Sequence, residues 1–222
     1  IIGNAAVGLG VMTGHENTAI GNEAGYDLTS GANNTLIGVS AGNNLTIAGD
    51  NVAIGSGALT TEDVGDRAIA IGTNALFSQN SDSDNEDSLN VGIGHAAGYY
   101  NVTGQNNTYI GGFAGTGASG QSNNNNTAVG SQALTAITDG GFNTVLGGEA
   151  GHDLTTGDEN VFIGLNAGDK TTDVDRTVII GANAAGANLT SAADGTIAIG
   201  FQALSANTSG QFNTAVGYNC LV

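Results

Sequence analysis

Short aliphatic runs recur along this chain at a nearly constant spacing, each closed by a glycine, as in Asn17-Thr18-Ala19-Ile20-Gly21. Taking that glycine as an anchor, the series is Gly3, Gly21, Gly38, Gly55, Gly72, Gly94, Gly111, Gly130, Gly147, Gly164, Gly181, Gly200 and Gly217. Eight of the twelve intervals are 17 residues, and the others are 18, 19, 19 and 22. A fixed period of this length is the mark of a solenoid, in which each unit forms one coil stacked on the next. The pattern predicts an all-β fold, a parallel β-solenoid (β-roll) of about 13 coils with a mostly 17-residue repeat. It fills residues 1–222 as a single repeat domain, read as a segment of a longer fibre.

The residue before each anchor is always aliphatic, and the residue three before it is β-branched, for example Thr18, Val52, Ile69 and Val161. Side chains alternate across a strand, so these two positions share a face, and they are expected to line the interior. Three residues after the anchor stands Ala in every unit but the last, where Cys220 takes the place; a small buried residue is expected at a tight corner. Four before the anchor, nine of twelve units have Asn, which stacking would set in a hydrogen-bonded ladder with the ~4.8 Å strand spacing. Seven before it Gly recurs, marking a second corner where φ is expected to be positive. Two short strands and two glycine-bearing turns per coil follow.

The position two before the anchor is then expected to point outward, yet it is apolar throughout: Ile1, Ala19, Leu36, Ala53, Ala70, Gly92, Tyr109, Ala128, Val145, Phe162, Ile179, Ala198, Ala215. An exposed apolar stripe implies a covering chain. Leu36, Tyr109, Val145, Phe162 and Ile179 are therefore the expected oligomer interface.

Composition narrows the function classes. The chain has 38 Gly, no Pro, no Trp, one Cys and three basic residues, Arg67, Lys170 and Arg176, with a formal net charge of −17. Phosphate contacts need clustered Lys and Arg, so nucleic-acid binding is not expected. No apolar stretch reaches membrane-spanning length, so no membrane insertion is expected. Disorder, the usual reading of a chain rich in Gly, Asn and Thr, does not explain aliphatic residues kept in register.

The unit N-T-A-[IV]-G-x-x-A-[GL] is carried by residues 17–21, by Asn126-Thr127-Ala128-Val129-Gly130 through Ala133-Leu134, and by Asn213-Thr214-Ala215-Val216-Gly217. It resembles repeats in the fibrous regions of phage tail fibres and bacterial surface fibres, and is similar to the shorter head repeats of trimeric autotransporter adhesins. The resemblance covers the whole chain. It implies a homotrimeric shaft or receptor-binding surface, extracellular, on a virion or bacterial cell.

Matches to catalytic motifs dissolve into the repeat. Gly38-Val39-Ser40-Ala41-Gly42 fits G-x-S-x-G, but Gly38 is an anchor and Ala41 belongs to the Ala column. Residues 115–120 fit G-x-G-x-x-G without a helix-forming sequence behind them. His15, His95 and His152 occupy three different columns, Arg67 and Arg176 are read as corner ion pairs with Asp66 and Asp175, and no acid ladder is apparent. No catalytic or cofactor-binding residue is expected. Within the longest interval, Asp82, Asp84 and Glu86 are candidate oxygen ligands for Ca²⁺, without the Gly and Glu of an EF-hand. Tyr26, Phe77, Tyr99, Tyr100 and Phe113 are candidate stacking partners for a cell-surface glycan.

The leading functional expectation is an adhesive or structural fibre segment, a homotrimer or a self-assembling end-to-end filament. An ice-binding solenoid is the alternative from another class; it requires the Thr column to lie outside. A β-helical depolymerase is the third.

Overall fold

The computed structural model describes residues 2, 3, 13–84 and 86–221. They form an all-β parallel solenoid with one three-residue strand per coil: β1 Thr18–Ile20, β2 Thr35–Ile37, β3 Val52–Ile54, β4 Ile69–Ile71, β5 Val91–Ile93, β6 Thr108–Ile110, β7 Thr127–Val129, β8 Thr144–Leu146, β9 Val161–Ile163, β10 Val178–Ile180, β11 Ile197–Ile199 and β12 Thr214–Val216. Strand order in the sheet is chain order. Pairing is parallel and in repeat register, as in Thr18↔Thr35 and Val145↔Phe162. Ile2 adds a parallel bridge to Ile20. The chain groups into two compact units, unit 1 (Ile1–Tyr109 with Ser119–Ser122) and unit 2 (Ile110–Ala118 with Asn123–Val222).

The expected second strand is absent from every described coil. Its place is taken by turns that still bond to the next coil, for example Gly42 N–H to the Ala58 carbonyl (2.9 Å) and Thr46 N–H to that of Asp63 (2.8 Å). Corners form where the backbone turns left-handed, two and four residues after the anchor and five before it; Ser40 (φ 55°), Leu59 (φ 51°) and Arg67 (φ 61°) are examples. Of the glycines seven before the anchor, Gly210 has the expected positive φ (106°), whereas Gly14, Gly31, Gly65, Gly140 and Gly157 do not. Gly14 and Gly140 are instead pressed against the following coil, where a Cβ would lie 1.9 Å and 2.5 Å from the carbonyl oxygens of Gly31 and Gly157.

The anchor glycine is required twice over. At Gly147 φ is +142°, and a Cβ there would lie 2.3 Å from the Gly164 carbonyl oxygen. Only glycine accepts both the conformation and the approach.

The asparagine ladder forms as expected, in each unit. Asn126 Oδ1 accepts from the Asn143 backbone N–H and side-chain Nδ2, both at 3.0 Å, and Asn143 Nδ2 also donates to the Gly157 carbonyl at 2.8 Å. Asn143 Oδ1 repeats this with Asn160. In unit 1 Asn34, Asn51 and the Ala68 N–H continue the same pattern. A buried amide with every hydrogen bond made is the condition under which polar burial is tolerated. A second ladder went unread in the sequence: Thr138 Oγ1 donates to the Thr155 carbonyl, and Thr155 Oγ1 to that of Thr172.

The two strand faces lie opposite to expectation. The apolar column two before the anchor is the interior: Ala19, Leu36, Ala53, Ala70, Tyr109, Ala128, Val145, Phe162, Ile179, Ala198 and Ala215 are all 0% exposed within the single chain, and Gly92 is buried. Ile1, which heads that column, lies outside the described residues. Leu36, Tyr109, Val145, Phe162 and Ile179 are thus core side chains and cannot form an oligomer interface. The Ala column after the anchor packs inside with them, although Cys220, in the same column, is only part-buried.

Core volume is balanced between two positions. Where the inward strand residue is large, the position four after the anchor is Gly or Ala, as in Leu36/Gly42, Phe162/Gly168 and Ile179/Ala185. Where it is Ala, that position is Leu, as in Ala53/Leu59, Ala70/Leu76, Ala128/Leu134 and Ala198/Leu204, and these leucines are buried. The contacts explain the exchange: a Cβ on Gly42 would lie 2.8 Å from Leu36 Cδ2, and one on Gly168 3.2 Å from Phe162 Cε2 and 2.9 Å from Ile179 Cδ1. The first coil, Ala19/Gly25, is filled by Leu36 of the next one.

Two outcomes follow for unfolding in denaturant. Asn143→Ala orphans a buried carbonyl and a buried amide, and is expected to cost at least about 2 kcal/mol. Leu36→Ala is expected to cost about 2–5 kcal/mol. Adding Gly42→Leu to Leu36→Ala should restore part of the loss, although Gly42→Leu alone is destabilising; equal losses in the presence and absence of Leu36 would refute the volume exchange.

Candidate functional site

With the faces assigned, the solvent side of the sheet carries the other two strand columns. In unit 1 these are Thr18/Ile20, Thr35/Ile37, Val52/Ile54, Ile69/Ile71 and Val91/Ile93; in unit 2, Thr127/Val129, Thr144/Leu146, Val161/Ile163, Val178/Ile180, Ile197/Ile199 and Thr214/Val216. Every one is part-exposed or exposed. No charged residue interrupts the two columns. β-Branched side chains are stiff at χ1, so the surface is ordered before anything lands on it. The apolar stripe anticipated from the sequence therefore exists, on different residues. Half of its first column is Thr, so the Thr column lies outside, where an ice-binding surface requires it.

The charge is elsewhere, on corners and turns. In unit 2 a carboxylate ladder runs up one corner: Asp158 accepts from the Gly141 N–H (2.6 Å), Asp175 from the Asp158 N–H (2.9 Å) and Asp194 from the Asp175 N–H (3.0 Å). These acids recur six residues before the anchor, a column the sequence reading did not line up. In unit 1 Asp66 does the same with the Gly49 N–H (2.6 Å). With Asp66 and Asp175 so engaged, the expected ion pairs with their neighbouring arginines are not what forms. Arg67 reaches Asp87, and Asp50 at 3.9 Å, from other coils, and the Asp87 carboxylate raises the guanidinium pKa above its ordinary value. Arg176 is exposed.

Glu62 is the buried exception among the acids. It sits in an interior column held elsewhere by Leu28, Leu45, Ile137 and Leu154. Its carboxylate accepts from the Gly65 N–H (2.8 Å), the Ser81 N–H (3.1 Å) and the Ser81 hydroxyl (3.1 Å). Gln79, next in the column, accepts from Asn90 Nδ2 at 2.6 Å. These bonds tie the long inserted segment to the coil beneath it.

The candidate calcium ligands are not gathered. Glu86 folds back to accept from the Asp82 N–H (3.0 Å) and bonds the Gln105 side chain, and among the described residues no three His, Cys, Asp or Glu side chains converge on a common point. Of the five aromatic candidates, three come together. Phe77 and Tyr99, in equivalent positions of adjacent coils, stack with ring centroids 5.0 Å apart and planes 6° apart, and Tyr100 meets Tyr99 edge-on at 4.5 Å. Tyr26 lies three coils before Phe77 in the same column, and Phe113 belongs to unit 2 in a left-handed corner position (φ 61°). A further stacked pair, Phe201 and Tyr218, occupies the position just after the anchor, at 5.3 Å. Ser40, of the G-x-S-x-G match, has its hydroxyl 3.5 Å from Glu23.

A comparison with family models found no match, and comparisons with curated proteins and with solved structures likewise found none.

The face assignment has a direct stability readout. Phe162→Ala is expected to cost about 3–5 kcal/mol, whereas Val161→Thr, one residue away and outward, should change stability by less than about 0.5 kcal/mol. Similar losses at both would overturn the assignment.

Proposed function

We propose that this chain is a structural and adhesive segment of an extracellular fibre, of the phage tail-fibre or bacterial surface type. The observation that carries the reading is the uncharged β-branched face on a chain of net charge −17. Exposed apolar stripes of this regularity are sites of association. Coils bonded to each other through strand, Asn ladder and turns supply a shaft, and the outer face supplies the contact that joins copies of it. Surface attachment falls to the aromatic cluster of Phe77, Tyr99 and Tyr100, whose ring faces suit the apolar faces of sugars.

Sedimentation equilibrium with electron microscopy of the same sample tests this. Mass above one chain, lost on introducing Ile163→Lys with Val178→Lys while the circular dichroism is unchanged, is the expected result. Long threads in the wild type would point to the end-to-end filament.

The outward Thr residues favour a second reading, an ice-binding solenoid using the same face. A monomeric mass together with thermal hysteresis that the double lysine variant abolishes would put that reading in place of the fibre.

A further inference from the structure

The outer face has two columns of unequal height. The column three before the anchor holds the shorter Thr and Val at most positions, as at Thr144, Val161 and Val178. The column one before it holds the longer Ile and Leu at most positions, as at Leu146, Ile163 and Ile180. Each unit presents one such sheet face; its other sides carry polar turns and acids, with exposed large apolar side chains such as Phe142, Leu165, Phe201, Phe212 and Tyr218 placed on turns and bends.

These facts restrict how copies can meet. A closed trimer is built from heterologous contacts, so each chain must offer two different surfaces that fit one another. A twofold pair needs one self-complementary surface, which is what each unit has. Two twofold arrangements bring the faces together. With the axis along the strands the chains run antiparallel, long columns meet long and short meet short, and the gap is uneven. With the axis along the direction of coil stacking the chains run parallel, and the long column of each copy faces the short column of the other at the same coil. Large side chains opposite small ones interdigitate and keep two sheets at a uniform separation of about 10 Å.

We infer that the outer face is covered by the same face of a second copy of this chain, in a parallel pair whose twofold axis runs along the stacking direction. The inference rests on the self-associating reading above. Charge supports the choice of occupant: an oppositely charged partner finds no acid on this face, whereas a second copy is neutral there and leaves its acids in water. At about 4.8 Å per strand and about 10 Å of width, the sheet face of unit 2 offers about 300 Å² per copy and that of unit 1 about 250 Å².

The test uses the full chain with Cys220→Ala, carrying either Thr144→Cys or Leu146→Cys, mixed and treated with a short thiol-specific bifunctional cross-linker that spans the ~10 Å between facing sheets, which a direct disulfide does not, beside the wild-type mass by light scattering. The expected mass is twice 21.8 kDa, with cross-links joining position 144 of one copy to 146 of the other. A two-chain mass without 144-to-146 cross-links, or with cross-links of 144 to 144 or 146 to 146, overturns the parallel arrangement. A mass of three chains or more overturns the pair and leaves the self-associating shaft standing. A monomer at high micromolar concentration overturns both. The wild-type mass does not depend on how the variants fold.

Discussion

Within each unit, coil is held to coil through bonds between equivalent residues, and the Asn ladder is the tightest form of that requirement. Asn143 Oδ1 receives both N–H groups of Asn160, while Asn143 Nδ2 is committed to Gly157. None of these bonds survives a shift of one residue, so the ladder fixes register where a three-residue strand alone leaves it weakly specified. The anchor glycines impose the same register sterically, since those from Gly21 to Gly72 and from Gly111 to Gly200 each lie against the carbonyl of their successor. Units longer than 17 residues consequently keep intact the five-residue segment that ends on the anchor, headed by Asn17, Asn90, Asn126 or Thr196. The 22-residue interval places its extra residues around 80–87, and isolated bridges such as Asp66↔Asp87 and Asn101↔Gln121 resume the stacking beyond the insertions.

Period, coil number and ladder were legible in the sequence because each depends on a residue type recurring in one column. Which strand face points inward was not, since alternation separates two sets of side chains without labelling them. Both sets here are apolar, and the more uniformly aliphatic one proved to be outside. The signal that decides it lay across columns: Leu36, Phe162 and Ile179 are each followed six residues later by Gly or Ala, and Ala53, Ala70 and Ala128 by Leu. Residues that exchange volume must share a cavity, because close-packed interiors tolerate neither void nor overlap. The corner geometry was hidden for a different reason. Glu, Asn, Arg, Leu and Phe all occupy left-handed positions here, so no single residue type marks them, and the expected marker, Gly seven before the anchor, answers to close approach instead at Gly14, Gly31, Gly140 and Gly157.

The electrostatic layout follows from the same stacking. Corners present successive backbone N–H groups along the stacking direction, and carboxylates such as Asp158, Asp175 and Asp194 accept them one after another. Acids accumulate where such donors are available and are absent from the sheet, whose N–H groups are already bonded between strands. A strongly acidic chain thereby keeps a neutral face without any residue being assigned to exclude charge from it. The aromatic stack of Phe77 on Tyr99 belongs to the same logic, as equivalent positions of adjacent coils lie at ring-stacking distance.

The volume exchange between the inward strand residue and the position after the corner reaches beyond a single coil. Gly168 lies against Phe162 of its own coil and Ile179 of the following one, and Gly98 against Leu76 and Tyr109 of the coils on either side. A coil is therefore matched to its neighbours and not merely to a consensus. Recombination that removes or duplicates one repeat would preserve every anchor and every hydrogen-bonded column, yet could set two large side chains against each other or leave a hole between two small ones. What reads as a string of near-identical units is an ordered text, in which the gene can gain or lose whole compatible runs more safely than single words.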